Sequence, residues 1–251
     1  MSVKVPAVPI ENKDFPTIIL IEPSKPQNLG SIARVMMNFG YSRLILLNPQ
    51  VNLSDSEISV VSRRAHSLLN QATIKYQFKE VREEFDYLIG TTARIGHDYN
   101  LSRVSIDIDQ LKQSNLPPGK FGLIFGREQF GLKNEEISQC DLLITIPTES
   151  TYSVMNLSHA AAIVLFVVRK MLFKRIETKK VRNYRHRAST YDERQHLINY
   201  YENLLSTVKY HPEKQRIAIQ AFENILSRGY ITGREVTTLM GVFKWIHLNL
   251  K

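Results

Sequence analysis

Three polar clusters in this sequence carry side chains that could act on a bound molecule. In Pro26-Gln27-Asn28-Leu29-Gly30-Ser31-Ile32-Ala33-Arg34 a carboxamide sits on a turn and a guanidinium follows one helical turn into the next segment, so both can reach one cleft. A guanidinium stays protonated, which suits it to holding negative charge on oxygen rather than to taking up a proton. Gly126-Arg127-Glu128, closed by Gly131, has the make-up of a tight, backbone-rich turn, and Glu128 equally suits a helix start. Ser153, Asn156 and Ser158 precede a long apolar run and also read as an N-cap cluster. Taken singly, each cluster has a structural reading as good as its functional one.

The elements that must position these groups are short and apolar. Residues 121–125 and 142–146 are continuous apolar runs bounded by Gly or Pro, as expected of strands buried on both faces of a parallel sheet. Their carboxyl ends lead into Gly126-Arg127-Glu128 and into 147–156, and in open α/β sheets ligands sit just past that edge. Further strands are expected at 17–21, 43–47 and 87–90, the last running into Thr91-Thr92-Ala93-Arg94. Pro23, Pro26 and Gly30 interrupt 22–30, so the first helix is expected over 31–39 with Gly40 just past its end; Ser54-Asp55-Ser56-Glu57 reads as a capping box opening another. Strands alternating with helices predict a mostly parallel sheet covered on both faces.

The character changes after the apolar helix that begins at Leu157. Between Arg169 and Arg187 stand nine Lys or Arg and a single Glu. Three helical segments follow, with capping boxes at Thr190/Glu193 and Thr232/Glu235 and a stop at Gly229. The expected organisation is an N-terminal arm over 1–15, an α/β unit over 16–173, a basic linker over 174–189 and a small all-α domain over 190–251.

With 251 residues, 43% of them hydrophobic, the chain can bury one ordinary core and carry an appendage. Its net charge of +9 favours a polyanionic partner, nucleic acid before membrane, since no lipid-binding amphipathic stretch stands out. A single Cys140 offers neither an internal disulfide nor a zinc cluster and reads as a small buried apolar residue, consistent with a reducing cytosol. Residues 1–16 carry charges and prolines rather than a signal-peptide core, and 157–168 is too short to cross a bilayer, so the expected location is cytoplasmic.

In order and spacing the clusters become diagnostic. Asn28-x-Gly30-x-x-x-Arg34, Phe125-Gly126-Arg127-Glu128-x-x-Gly131-Leu132, and Ile146-Pro147 running to Asn156-Leu157-Ser158-x-Ala160 resemble the three motifs of the SpoU branch of the SPOUT methyltransferases, over roughly residues 16–170. Gly90-Thr91-Thr92-Ala93-Arg94 and Tyr152-Ser153 are most similar to its TrmJ type, tRNA ribose 2′-O-methyltransferases with an added C-terminal helical domain. The resemblance implies an α/β fold with a SPOUT-type parallel sheet, a C-terminal trefoil knot and a small C-terminal all-α domain. It implies S-adenosylmethionine as cofactor, without metal, in a pocket lined by Thr91, Thr92, Ala93, Gly126, Ile146, Ser153, Val154 and Met155. A side chain at 126 would keep the backbone from approaching that ligand.

The implied reaction is attack of a ribose 2′-oxygen on the sulfonium methyl. Arg34 would stabilise the developing alkoxide and a neighbouring phosphate. Asn28 would orient Arg34 and the ribose, Glu128 would hold the loop or Arg34, and Asn156 would fix the substrate side, with Ser153 or Tyr152 to compensate where several relatives have a serine at the position of Val154. The implied target is nucleotide 32 of the anticodon loop, cytidine or uridine, and the need for a 2′-hydroxyl excludes DNA. Arg34, Lys174, Arg175, Lys179, Lys180, Arg182, Arg185 and Arg187 are the expected RNA contacts, with Tyr184 or Tyr191 as a stacking partner. A homodimer packed through the helix from Leu157 is implied as well, Leu157, Ala160, Ala161, Val164, Leu165 and Val168 making it apolar over more than one face. Two other readings stand beside this one: a SpoU-type ribosomal RNA methyltransferase, sharing every motif, and an RNA-binding module without catalysis.

Overall fold

The structure, a computed structural model, describes residues 15–93, 105–113, 116–117, 119–179 and 187–250. Among the described residues, seven strands form one parallel sheet: β1 (Thr17–Ile21), β2 (Leu44–Leu47), β3 (Thr73–Lys75), β4 (Tyr87–Thr91), β5 (Ser105–Asp107), β6 (Phe121–Phe125) and β7 (Leu142–Thr145), in the order β3-β2-β1-β6-β4-β7-β5. The central strands are buried on both faces, as their unbroken apolar runs require. Ile18 and Leu20 of β1, Ile89 of β4 and Leu123 of β6 face one cluster, while Ile19, Ile21, Leu88 and Ile124 face the other. Each such Ile or Leu contributes about 1.5–3 kcal/mol on burial.

The first face is covered by α1 (Pro26–Asn38), α3 (His66–Asn70), α5 (Ile108–Gln113) and α7 (Leu157–Lys179); α2 (Ser56–Ser62) packs against α1. The second face takes α4 (Phe78–Arg82) and α6 (Asn134–Ile137), together with Phe85 and Leu132. A separate small cluster of Leu197, Ile198, Leu226 and Val236 holds α8 (Tyr191–Thr207), α9 (Pro212–Gly229) and α10 (Gly233–Asn249) together. The capping boxes at Thr190/Glu193 and Thr232/Glu235 are formed as expected, and Gly40 follows α1 with φ +77°.

Two local expectations are corrected. Helix α1 begins at Pro26, five residues before the expected start, so Asn28 and Gly30 lie within it. Proline is favoured at the first helical position, where its missing N–H would lack a partner anyway. Glycine suits position 30 of this helix because α2 lies close against it: a Cβ there would stand 2.9 Å from Val61 Cβ. Helix α2 is capped not by Ser54 but by Asp55, which accepts from Glu57 N at 2.9 Å.

The C-terminal helices dock on the amino edge of the sheet. Arg194 of α8, only 2% exposed, donates to Asp141 Oδ1 at 2.9 Å and to the carbonyl of Asp86, the residues just before β7 and β4. Arg82 meets the other oxygen of Asp141 at 3.2 Å. The two guanidinium groups lie over tyrosine rings, Arg82 at 3.7 Å from Tyr191 and Arg194 at 3.9 Å from Tyr87. Among the described residues, no helix is long and apolar enough to cross a membrane.

Candidate active site

At the opposite, carboxyl edge the ends of β4, β6 and β7 surround a cavity of about 190 Å³. All eight expected cofactor residues, Thr91, Thr92, Ala93, Gly126, Ile146, Ser153, Val154 and Met155, line it, joined by Leu132, Ile144, Thr148, Leu157 and Val164. Backbone geometry fixes the walls. Thr92 N donates to the Ile144 carbonyl at 3.0 Å, Thr91 Oγ1 to the Ile124 carbonyl at 3.1 Å and Thr148 Oγ1 to the Ser153 carbonyl at 3.2 Å. Apolar walls with a few backbone polar groups suit a flat heterocycle attached to a polar tail.

The loop after β6 forms one wall. Arg127 and Gly131 exchange backbone hydrogen bonds at 3.1 and 2.9 Å, and Gly131 takes the left-handed φ of +66° that closes the turn. A Cβ on Gly126 would lie 2.2 Å from Gly131 C and 2.5 Å from Leu132 N. The requirement for glycine thus comes first from the loop's own backbone, a reason beyond the ligand approach inferred from sequence. Arg127 is clamped between two carboxylates, with bonds of 2.7 and 2.7 Å to Glu22 and of 3.0 and 2.8 Å to Glu136. The Arg127 guanidinium holds the Glu22 carboxyl below the usual carboxylate range, against the opposing effect of burial. This triad was not singled out in the sequence, where Glu22 and Arg127 stand 105 residues apart.

Three of the expected catalytic residues form one chain of hydrogen bonds at the cavity rim. Ser158 donates to Asn156 Oδ1 from its backbone N and its hydroxyl, both at 2.8 Å, which caps α7. Asn156 Nδ2 donates to Asn28 Oδ1 at 3.1 Å, and Asn28 Nδ2 donates to Glu128 Oε1 at 3.3 Å. Glu128 also accepts from Lys25 N at 3.2 Å and from Ser24 Oγ at 3.0 Å. Since Lys25 caps α1 without a side-chain bond, the Glu128 carboxylate supplies the negative group that a helix N-terminus favours. Burial works to raise the Glu128 carboxyl, but the backbone amide of Glu128 itself, Asn28, Ser24 and Lys25 outweigh it and hold the group below the usual range. Glu128 therefore holds the loop, while its expected alternative partner, Arg34, is not among its bonds.

Arg34 is exposed on α1 and makes no side-chain hydrogen bond or ion pair with any described residue. Asn28, 6% exposed, bonds to Glu128 and Asn156 rather than to Arg34. The basic residues fall elsewhere. Lys174, Arg175 and Lys179 belong to the last turns of α7, whose residues line the cavity as far as Val164, so its 1.5 Å rise per residue puts Lys174 about 15 Å further along the helix. Lys180, Arg182, Tyr184 and Arg185 lie outside the described residues. Arg187 pairs with Glu193 at 2.8 Å, and Tyr191 is covered by Arg82. Cys140 is half-buried, its thiol donating to the Glu136 carbonyl at 3.3 Å and pushed up in pKa by burial.

The cavity at the strand ends is thus rimmed by an Asn156–Asn28–Glu128 chain, beside a helix whose exposed Arg34 pairs with no described residue. The family described as SpoU rRNA Methylase matches residues 16–166, and the chain belongs to this family of RNA methyltransferases. It is 36% identical over 91% of its length, and 98% of the relative's, to the tRNA (cytidine-2′-O-)-methyltransferase TrmJ of Methanocaldococcus jannaschii. It is 27% identical to the tRNA (cytidine/uridine-2′-O-)-methyltransferase TrmJ of Pectobacterium atrosepticum, over 90% and 93% of the two chains. The crystal structure of TrmJ from Z. mobilis shares the fold, with a TM-score of 0.65 at 23% identity over 92% and 99% of the chains.

Proposed function

We propose that this chain is an S-adenosylmethionine-dependent tRNA ribose 2′-O-methyltransferase that modifies nucleotide 32, cytidine or uridine, in the anticodon loop. The observation that carries the reading is the similarity to a tRNA 2′-O-methyltransferase over almost the whole chain, appended helices included. Those helices favour tRNA over ribosomal RNA as substrate, and the exposed Arg34 beside an intact polar rim favours catalysis over mere RNA binding. On this reading 16–173 is the catalytic unit that carries the trefoil threading, 174–189 the basic linker and 190–251 the RNA-selecting helices, at work in the cytoplasm.

The cavity fits the cofactor by its lining. Ile144, Ile146, Leu132 and Val164 offer apolar walls to adenine, and residues 91–93 and Gly126 share the same lining. When bound, S-adenosylmethionine supplies an electrophilic methyl on a sulfonium and leaves as S-adenosylhomocysteine. What the protein adds is alignment: Asn28 and Asn156, mutually bonded, hold the rim, Glu128 fixes the start of α1, and Arg34 meets the charge developing on the 2′-oxygen. Val154 and Ser153 are both exposed at the mouth and Tyr152 beside them is exposed too, so either hydroxyl can take the place of the missing serine.

We take the working form to be a homodimer. The residues first expected to form its surface are mostly spent within the chain, Ala161, Val164, Leu165 and Val168 being fully buried. The apolar surface left on α1 and α7 is instead Met37, 43% exposed, and Phe166, 48% exposed beside Phe39. The test of the function is incubation of the full chain with labelled S-adenosylmethionine and a tRNA transcript, followed by mapping of ribose methylation. Label at nucleotide 32 is expected. Label confined to ribosomal RNA, or to another tRNA position, would overturn it.

A further inference from the structure

Arg63 occupies a backbone conformation that suits glycine. It ends α2 with φ 51° and ψ −123°, the mirror image of extended backbone, where a Cβ crowds the chain and L residues are rare. Residues held in such regions cluster at functional sites. Its side chain does not recover the strain. Arg63 is exposed, and so is Arg64; neither guanidinium has a hydrogen bond or ion pair with a described residue.

The strained turn is set directly on the helix that carries the rim. A Cβ on Gly30 would stand 3.1 Å from Ser62 N, so the chain entering Arg63 presses on α1 two residues past Asn28 and one turn before Arg34. Gly30 and Arg34, four residues apart, share a face of α1, and residues 63–65 pack against that helix. Glu57, the carboxylate that α2 brings to this side, accepts from Gln27, a neutral partner that leaves its charge in place. Arg34, Arg63 and Arg64 outnumber that carboxylate and leave net positive charge along the side of α1 that follows Asn28, whereas Lys174 lies about 15 Å along α7 from Val164, the last residue of that helix on the cavity.

We propose that Arg63 and Arg64 bind backbone phosphates of the substrate RNA next to the target ribose, and that the unfavourable conformation of Arg63 persists because glycine at this position would bring no charge. This rests on the RNA substrate proposed above. Guanidinium groups suit phosphate oxygens, which they engage in pairs of hydrogen bonds, and neither group would have to break an existing ion pair to do so.

The strain makes the test unusual, because one substitution should move stability and binding in opposite directions. In the full chain, Arg63→Gly removes both strain and charge: Tm should rise by roughly 2–8 °C. Affinity for a labelled tRNA transcript should nevertheless fall roughly tenfold. The slope of log affinity against log salt should flatten by about 0.7–0.9 for that contact and by about twice as much in Arg63→Gly/Arg64→Ala. Arg63→Lys should keep most of the affinity, and S-adenosylmethionine binding by calorimetry should be unchanged in all three. A rise in Tm with RNA affinity and salt slope left at wild-type values would overturn the patch. If the wild type prefers a ribosomal RNA fragment to tRNA, the substrate reading fails instead, and the same variants titrated with that fragment still decide the patch.

Discussion

The two edges of the sheet use the same parts in opposite proportion. At the carboxyl edge one arginine, Arg127, lies between two carboxylates, Glu22 and Glu136. At the amino edge two arginines, Arg82 and Arg194, share one carboxylate, Asp141, and the surplus positive charge rests on the faces of Tyr191 and Tyr87. The first arrangement leaves a half-open loop beside a cavity; the second closes an interface between two helical layers and the sheet. Ion pairing by itself is thus a poor guide to function in this molecule. What separates the edges is what the backbone meets: glycines and strand ends line a cavity at one, while aromatic rings seal the other.

The contrast is broken most severely at the sealed edge. Arg194→Ala would leave the largely buried Asp141 with Arg82 and the Leu88 amide, and losing one partner of such a network costs about 3–5 kcal/mol. Urea unfolding should show that loss, with cofactor affinity at the far edge unchanged; a loss below about 1 kcal/mol would mean the docking is not held there. At the open edge the expected pattern is reversed. Arg34→Ala should lower turnover about 10²–10³-fold, or about 2.7–4 kcal/mol in the barrier. Melting temperature and cofactor affinity should stay put, since Arg34 is exposed and contacts no described partner through its side chain.

The smallest effect is a pH effect at the sealed edge. The Arg187 guanidinium, with the Thr190 amide and hydroxyl, holds the Glu193 carboxyl at about 2 against the opposing effect of burial. A carboxyl lowered on folding adds stability above its unfolded value near 4.5, and that stability is lost as pH falls through about 2. Arg187 is well exposed, so solvent screens the pair and the effect is modest. Glu193→Gln should therefore melt slightly below wild type at pH 7, and the gap should close between about pH 4.5 and 2.

The sheet was legible because burial on both faces writes itself as unbroken apolar runs; 17–21 and 121–125 coincide with β1 and β6. Pro26 and Gly30 misled because their usual meaning as breakers is positional: one stands at the first helical residue and the other where α2 approaches. The cavity lining was legible through family resemblance and not through periodicity. The Glu22–Arg127–Glu136 clamp left no sequence signal, because carboxylates a hundred residues apart look like ordinary surface charge until the fold joins them. The docking of α8 was hidden for the same reason, Arg194 reading as one more solvated residue of an amphipathic helix.

That remoteness has a kinetic side. The bonds at the rim join residues 100 and 128 positions apart, and the clamp joins residues 105 apart. Loops of that length close late, after local helices and neighbouring strands have formed. A refolding chain should regain its helical content well before it can bind cofactor, so the appearance of cofactor affinity times the final step of folding.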